Sequence, residues 1–76
     1  MTLSKAQKGK TYIFESFNDS FEYKSLLVGV GLSPGDSFYV VASSFLGSPI
    51  TIKLENGQLF GLRKSEAELI NVRKSA

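Results

Sequence analysis

Seven carboxylates have the most chemical reach in this sequence: Glu15, Asp19, Glu22, Asp36, Glu55, Glu66 and Glu68. A carboxylate can serve as general base, nucleophile or hard-metal ligand. Catalysis or selective metal binding usually needs further groups, and the commonest are missing. The sequence contains no His and no Cys. That removes the usual general base, the imidazole and thiolate ligands of transition metals, and the Ser-His and Cys-His nucleophile pairs. Oxygen-only sets suit Mg²⁺ or Ca²⁺ better than the later transition metals. No pair of these acids has a spacing that forces convergence, and Asp19, Glu22 and Glu68 are explained locally as helix caps. The inventory predicts a protein that is not an enzyme, with no cofactor and no metal site of its own.

The positions of the acids depend on the elements around them, and 76 residues allow one small domain. Hydrophobic residues make up 42% and charged residues 21%, a globular balance rather than a disordered one. A chain this short needs most of its apolar residues for a single core, which leaves little material for a deep pocket. The expected domain is 1–76, with its core at about 3–72 and a tail at 73–76. No apolar run approaches the ~18 residues of a membrane span. The opening Met1-Thr2-Leu3-Ser4-Lys5 carries no apolar leader segment. The expected location is cytoplasmic.

Residues 1–10 read as a lead-in in which Leu3 and Ala6 pack and Gly9 turns. Thr11–Phe17 reads as a strand with Tyr12 and Phe14 on one face. A bulge near Glu15-Ser16 would bring Phe17 back to that face. Asp19 and Glu22 have the spacing of a capping box, followed by a helical stripe of Tyr23, Leu27 and Val30. Gly31 stands where a left-handed helix stop belongs, with Leu32 as its hydrophobic contact, and Ser33-Pro34-Gly35-Asp36 suits a type II turn. Ser37–Ser43 then alternates with both faces partly apolar, as befits a central strand. Ser44 to Pro49 is a loop, and Ile50, Ile52 and Leu54 mark the cleanest strand. A three-residue turn with Gly57 left-handed pairs Ile52 with Phe60 and Ile50 with Leu62, burying all four together. Ser65 and Glu68 suggest a second capping box, before a last strand with Ile70 and Val72 inward. Five strands with one inserted helix and one late helical turn predict a small curled barrel.

Three pieces of this sequence together resemble the ferrous iron transport protein A (FeoA) family. They are Leu27-x-x-x-Gly31-Leu32-x-Pro34-Gly35, Leu46-Gly47-x-Pro49-Ile50, and Leu62-Arg63-x-x-Glu66-Ala67-x-x-Ile70-x-Val72. The resemblance runs from about Leu3 to Val72. It implies a mainly β, five-stranded SH3-like barrel, with the helix after the first strand and the helical turn before the last. It also implies a cytosolic accessory of FeoB, the membrane transporter with a GTPase domain that imports Fe²⁺. Gly31, Pro34, Gly35, Gly47, Pro49, Gly57 and Ala67 then read as fold determinants. Leu26 and Phe45 depart from the usual pattern by placing apolar side chains where exposure is expected.

The partner surface expected from these departures comprises Leu26, Phe45 and Leu46, with Lys24 beside them. The alternative is that Phe45 and Leu46 plug a barrel mouth. The partner expected is the cytosolic domain of a FeoB-type transporter, with the membrane reached indirectly through it and room for weak self-association. Two other readings remain. A nucleic-acid binder would gather Lys8, Lys10, Lys24, Lys53, Arg63 and Lys64 on one face beside aromatic rings. The net charge of +2 makes nucleic acid an unexpected partner. A metal-responsive regulatory module is the other, because similar barrels end metal-dependent repressors. The absence of a DNA-binding segment before this barrel favours a stand-alone accessory.

Overall fold

The computed structural model describes residues 1–43 and 49–75. A short 3₁₀ turn at Leu3–Lys5 leads into β1 (Thr11–Phe17), α1 (Lys24–Gly29), β2 (Ser37–Ser43), β3 (Ile50–Leu54), β4 (Leu59–Leu62), α2 (Lys64–Ala67) and β5 (Ile70–Lys74). The strands form one antiparallel sheet in the order β4-β3-β2-β1-β5. As expected, β2 is its central strand.

The register shift between Phe14 and Ser16 is the bulge the sequence suggests. It bends β1 and returns Phe17 to the core side, where its ring lies 4.5 Å from Phe14. A second shift, between Val40 and Ala42 in β2, was not anticipated. It breaks the two-residue alternation, so Ala42 is exposed while Phe38 and Val40 are buried. The two bends wrap the sheet around Tyr12, Phe14, Phe38, Val40, Ile50, Ile52, Leu54, Leu62, Ile70 and Val72. Among the described residues no charged or polar side chain is buried. The core is therefore held by apolar burial without internal ion pairs.

Pairing of β3 with β4 follows the predicted register, Ile52 with Phe60 and Ile50 with Leu62. Gly57 has φ +89° and donates its N–H to Leu54 O at 2.9 Å. The turn is the three-residue loop with a left-handed glycine. In the turn before β2, Asp36 N–H donates to Ser33 O at 2.9 Å, as a Pro34-Gly35 turn should.

Both predicted helix starts are corrected. Asp19 and Glu22 do not cap α1, which begins at Lys24 with no side-chain cap. Instead Asn18 Oδ1 accepts from Ser20 N–H at 2.9 Å, and Phe21 N–H donates to Asn18 O. This turn drives Phe21 into the core, stacked 5.1 Å from Phe17. Burying an aromatic ring there outweighs the exposed cap. Tyr23, expected inward with Leu27 and Val30, is 46% exposed. Likewise Ser65 and Glu68 form no capping box. The turn of α2 starts two residues earlier than that pair implies, and Arg63 N–H donates to Glu66 Oε1 at 2.8 Å. That placement buries Ala67 completely. The last strand also outruns its predicted end, because Arg73 and Lys74 pair with Ile13 and Tyr12 and are not tail residues. Of the expected fold determinants, Gly47 lies outside the described residues and Pro49 is an exposed bend; Phe45 and Leu46, expected at the partner surface, also lie outside the described residues.

At the end of α1, Leu32 N–H reaches Leu27 O at 3.0 Å and Gly31 N–H reaches Val28 O at 3.1 Å. These are the paired bonds of a Schellman stop, with Gly31 at φ +107° and Leu27 and Leu32 both buried. Replacing Gly31 by Val forces a β-branched side chain into that conformation. We expect Gly31→Val to lower stability by about 1–2 kcal/mol in urea unfolding, while Gly29→Ala, inside the helix and with open space at its Cβ, lowers it not at all.

Candidate docking site on helix α1 and strand β4

Helix α1 is held against the β3–β4 hairpin at its C-terminal end. The Asn56 side chain donates to Val30 O at 2.8 Å, satisfying a carbonyl that the helix end leaves open. Leu27 anchors the same helix in the core, while its neighbours Leu26 and Val28 are 55% and 53% exposed. The other end is set by a run of rings. Phe14, Phe17, Phe21 and Tyr23 follow one another at 4.5, 5.1 and 6.1 Å, the last pair edge-to-face. This series carries Tyr23 from the core to the surface.

Between α1 and β4 lies a cleft of about 190 Å³ lined by Tyr23, Leu26, Leu27, Phe60, Gly61, Leu62 and Glu66. A second cleft of about 270 Å³ shares Tyr23 and Glu66 and adds Phe21, Glu22, Arg63 and Leu69. The structure thus sets Leu26 in an apolar cleft, with Lys24 exposed on the same short helix. Tyr23, Leu59 and Phe60 were missed by sequence reasoning. For Leu59 a signal existed: with Phe60 and Leu62 assigned to opposite parity from Gly61, a two-residue period puts an apolar Leu59 on the outer face. Tyr23 had no such signal, because its orientation depends on the turn that buries Phe21.

The carboxylates are spread over separate local tasks. Glu15 lies 3.5 Å from Arg73, Asp36 accepts from Ser33 N–H at 2.8 Å, and Glu66 closes the start of α2. Glu55 accepts from Ser37 N–H at 3.1 Å and Ser37 Oγ–H at 2.8 Å. Those donors hold its carboxyl below the usual range, the backbone N–H contributing most. Among the described residues no three acids gather as metal ligands. The basic residues divide as well. Lys10 lines a cleft with Lys74, Lys53 lines one with Tyr39, and Arg63 lines one that also contains Glu22 and Glu66. The clefts of Lys10 and Lys53 share Thr11, while Arg63 lies in a third cleft apart from them.

The FeoA domain family matches residues 1–74. This chain belongs to the FeoA family. No curated protein matches it. Among solved structures it is similar to the FeoA protein of Chlorobium tepidum, at 32% identity, with a TM-score of 0.86, over 100% of this chain and 71% of that one. It is similar to the iron(II) transport protein A of Clostridium thermocellum at 36% identity and a TM-score of 0.80, over 97% of this chain but 45% of that chain. A third relative is the zinc-complexed FeoA of Stenotrophomonas maltophilia, at 28% identity and a TM-score of 0.78, over 95% of this chain and 88% of that one. It is described as a prokaryotic SH3 domain protein and a candidate ferrous iron transport activating factor. The FeoA resemblance and the SH3-like fold expected from the sequence both hold, and the family ties this chain to ferrous iron transport.

Exposed Leu26 and buried Leu27 should separate cleanly. Leu27→Ala costs about 2–5 kcal/mol through the cavity it leaves, whereas Leu26→Gln leaves the melting temperature nearly unchanged. At Glu55 the depressed carboxyl stabilises the fold above its ordinary pKa of 4.5 and ceases to do so as pH falls through the lower folded value. In a carbon-detected NMR titration, Ser37→Ala should move that carboxyl upward, toward 4.5.

Proposed function

We propose that this FeoA-family chain is a non-enzymatic, cytoplasmic accessory of ferrous iron import, which docks on the cytosolic part of a FeoB-type transporter and modulates it. The observation that carries the reading is where the exposed apolar side chains sit. Among the described residues, four of the six large exposed hydrophobic residues, Tyr23, Leu26, Val28 and Leu59, belong to α1, its N-cap and β4, while Met1 and Tyr39 lie elsewhere. An apolar group left on so small a surface without an internal role favours burial against another protein. Lys24 stands at the edge of this surface, where a charge steers encounter and fixes orientation more than it adds affinity. Phe45 and Leu46, which lie between β2 and β3 in the sequence, remain part of the proposal.

GTP hydrolysis and ion conduction belong to the transporter. An adaptor without imidazole or thiol acts by binding one conformation of its partner more tightly than another. The size of any effect on transport equals that difference in affinity.

The test is isothermal titration of this chain with the isolated cytosolic domain of the FeoB-type transporter from the same genome, with and without guanine nucleotide. We expect saturable binding, weakened about tenfold or more by Leu26→Gln and by Tyr23→Ser. Absence of binding in both nucleotide states, or equal affinity of the variants, contradicts the reading.

A further inference from the structure

The two edges of the sheet are treated differently by the chain itself. Along β5 the N-terminal segment pairs with the strand: Thr2 bridges Asn71, Val72 N–H donates to Met1 O at 2.9 Å, and the N-terminal amine donates to Val72 O at 3.2 Å. Along β4 no described strand follows. The direction of its open backbone groups follows from the hairpin. Leu54 N–H donates to Gln58 O at 2.9 Å, so the pairs that exchange bonds with β3 continue at Ile52–Phe60 and Ile50–Leu62. The backbone groups of Leu59, Gly61 and Arg63 therefore point away from the sheet. Of these, Arg63 N–H is occupied by Glu66 Oε1. What remains is a short window, Leu59 to Gly61, that ends at this side-chain cap.

Edge strands usually carry a lysine, a proline or a bulge that discourages pairing. Leu59-Phe60-Gly61-Leu62 carries none of these, and its pairing with β3 runs without a register shift. Leu59 is 59% exposed, and nothing lies within 4 Å of the position a Gly61 side chain would take. The 190 Å³ cleft beside the window is bounded by helix α1 on one side and the strand on the other. A helix and an open strand edge facing across a groove is the arrangement in which an extended peptide adds to a sheet.

We propose that the β4 edge of this chain receives an extended segment of a partner polypeptide, which pairs with the backbone of Leu59 and Gly61 and lodges an apolar side chain between Leu26 and Phe60. The backbone supplies the ladder and the cleft selects the side chain. A cleft of this volume takes a leucine- or phenylalanine-sized group. The inference rests on the docking reading above and specifies its geometry.

The experiment is amide hydrogen exchange on the ¹⁵N-labelled chain, alone and saturated with the FeoB-type cytosolic domain. Leu59 and Gly61 amides, open to water in the free chain, should slow by at least about tenfold in the complex. Gly61→Pro deletes the outward donor at an edge position where proline is tolerated, and should abolish binding while leaving the melting temperature and the core amide spectrum unchanged. Leu59→Pro provides an independent variant at the other open position. If the domain binds while both amides stay fast, strand addition is wrong and the docking reading survives. If the domain does not bind, both fall. If the amides slow on concentrating the chain alone, the occupant is a second copy and the proposal is overturned.

Discussion

The backbone reversal at Gly31 sets where α1 can lie, and through α1 it sets what the molecule offers to another surface. The paired bonds from Gly31 and Leu32 end the helix within one residue, and burial of Leu27 and Leu32 on the core side fixes its rotation. Asn56 then ties the helix end to the tip of the β3–β4 hairpin. With the rotation fixed by Leu27, the adjacent Leu26 and Val28 must point elsewhere, since consecutive helical positions do not share a face. Their exposure is a geometric consequence of where the helix stops.

The same economy governs the rest of the chain. With no buried polar side chain among the described residues and a small core, stability depends on filling the space inside a bent sheet, and two bulges accomplish the bending. The N-terminal segment closes one edge. Among the described residues no strand follows along the other edge, and four of the six exposed large hydrophobics, Tyr23, Leu26, Val28 and Leu59, belong to that edge strand and to the helix with its N-cap.

Much of the fold was readable because its determinants are local. The Gly31 stop, the Gly57 turn, the β3–β4 register and the bulge in β1 each follow from a few residues whose backbone or facing preferences admit one answer. What was not readable depended on distant competition. Asn18-Asp19-Ser20-Phe21-Glu22 carries a sound helix start, but stacking Phe21 on Phe17 makes it a turn. Ser65 and Glu68 lost to an earlier start because Ala67 had to meet the core. Strand β5 runs on to Lys74 because β1 still has partners for it at Ile13 and Tyr12. The candidate surface was visible at Leu26 and Lys24. It was invisible at Tyr23, whose outward position is inherited from the misjudged turn.

The central claim is that the α1–β4 side is the working face of this FeoA-family chain. Chemical-shift mapping of the ¹⁵N-labelled chain against the cytosolic domain of its FeoB-type transporter tests it most directly. The account predicts the largest changes at Tyr23, Lys24, Leu26 and Leu59 to Leu62. Changes gathered instead around Lys10, Tyr39, Lys53 and Lys74, on other clefts of the sheet, would contradict it.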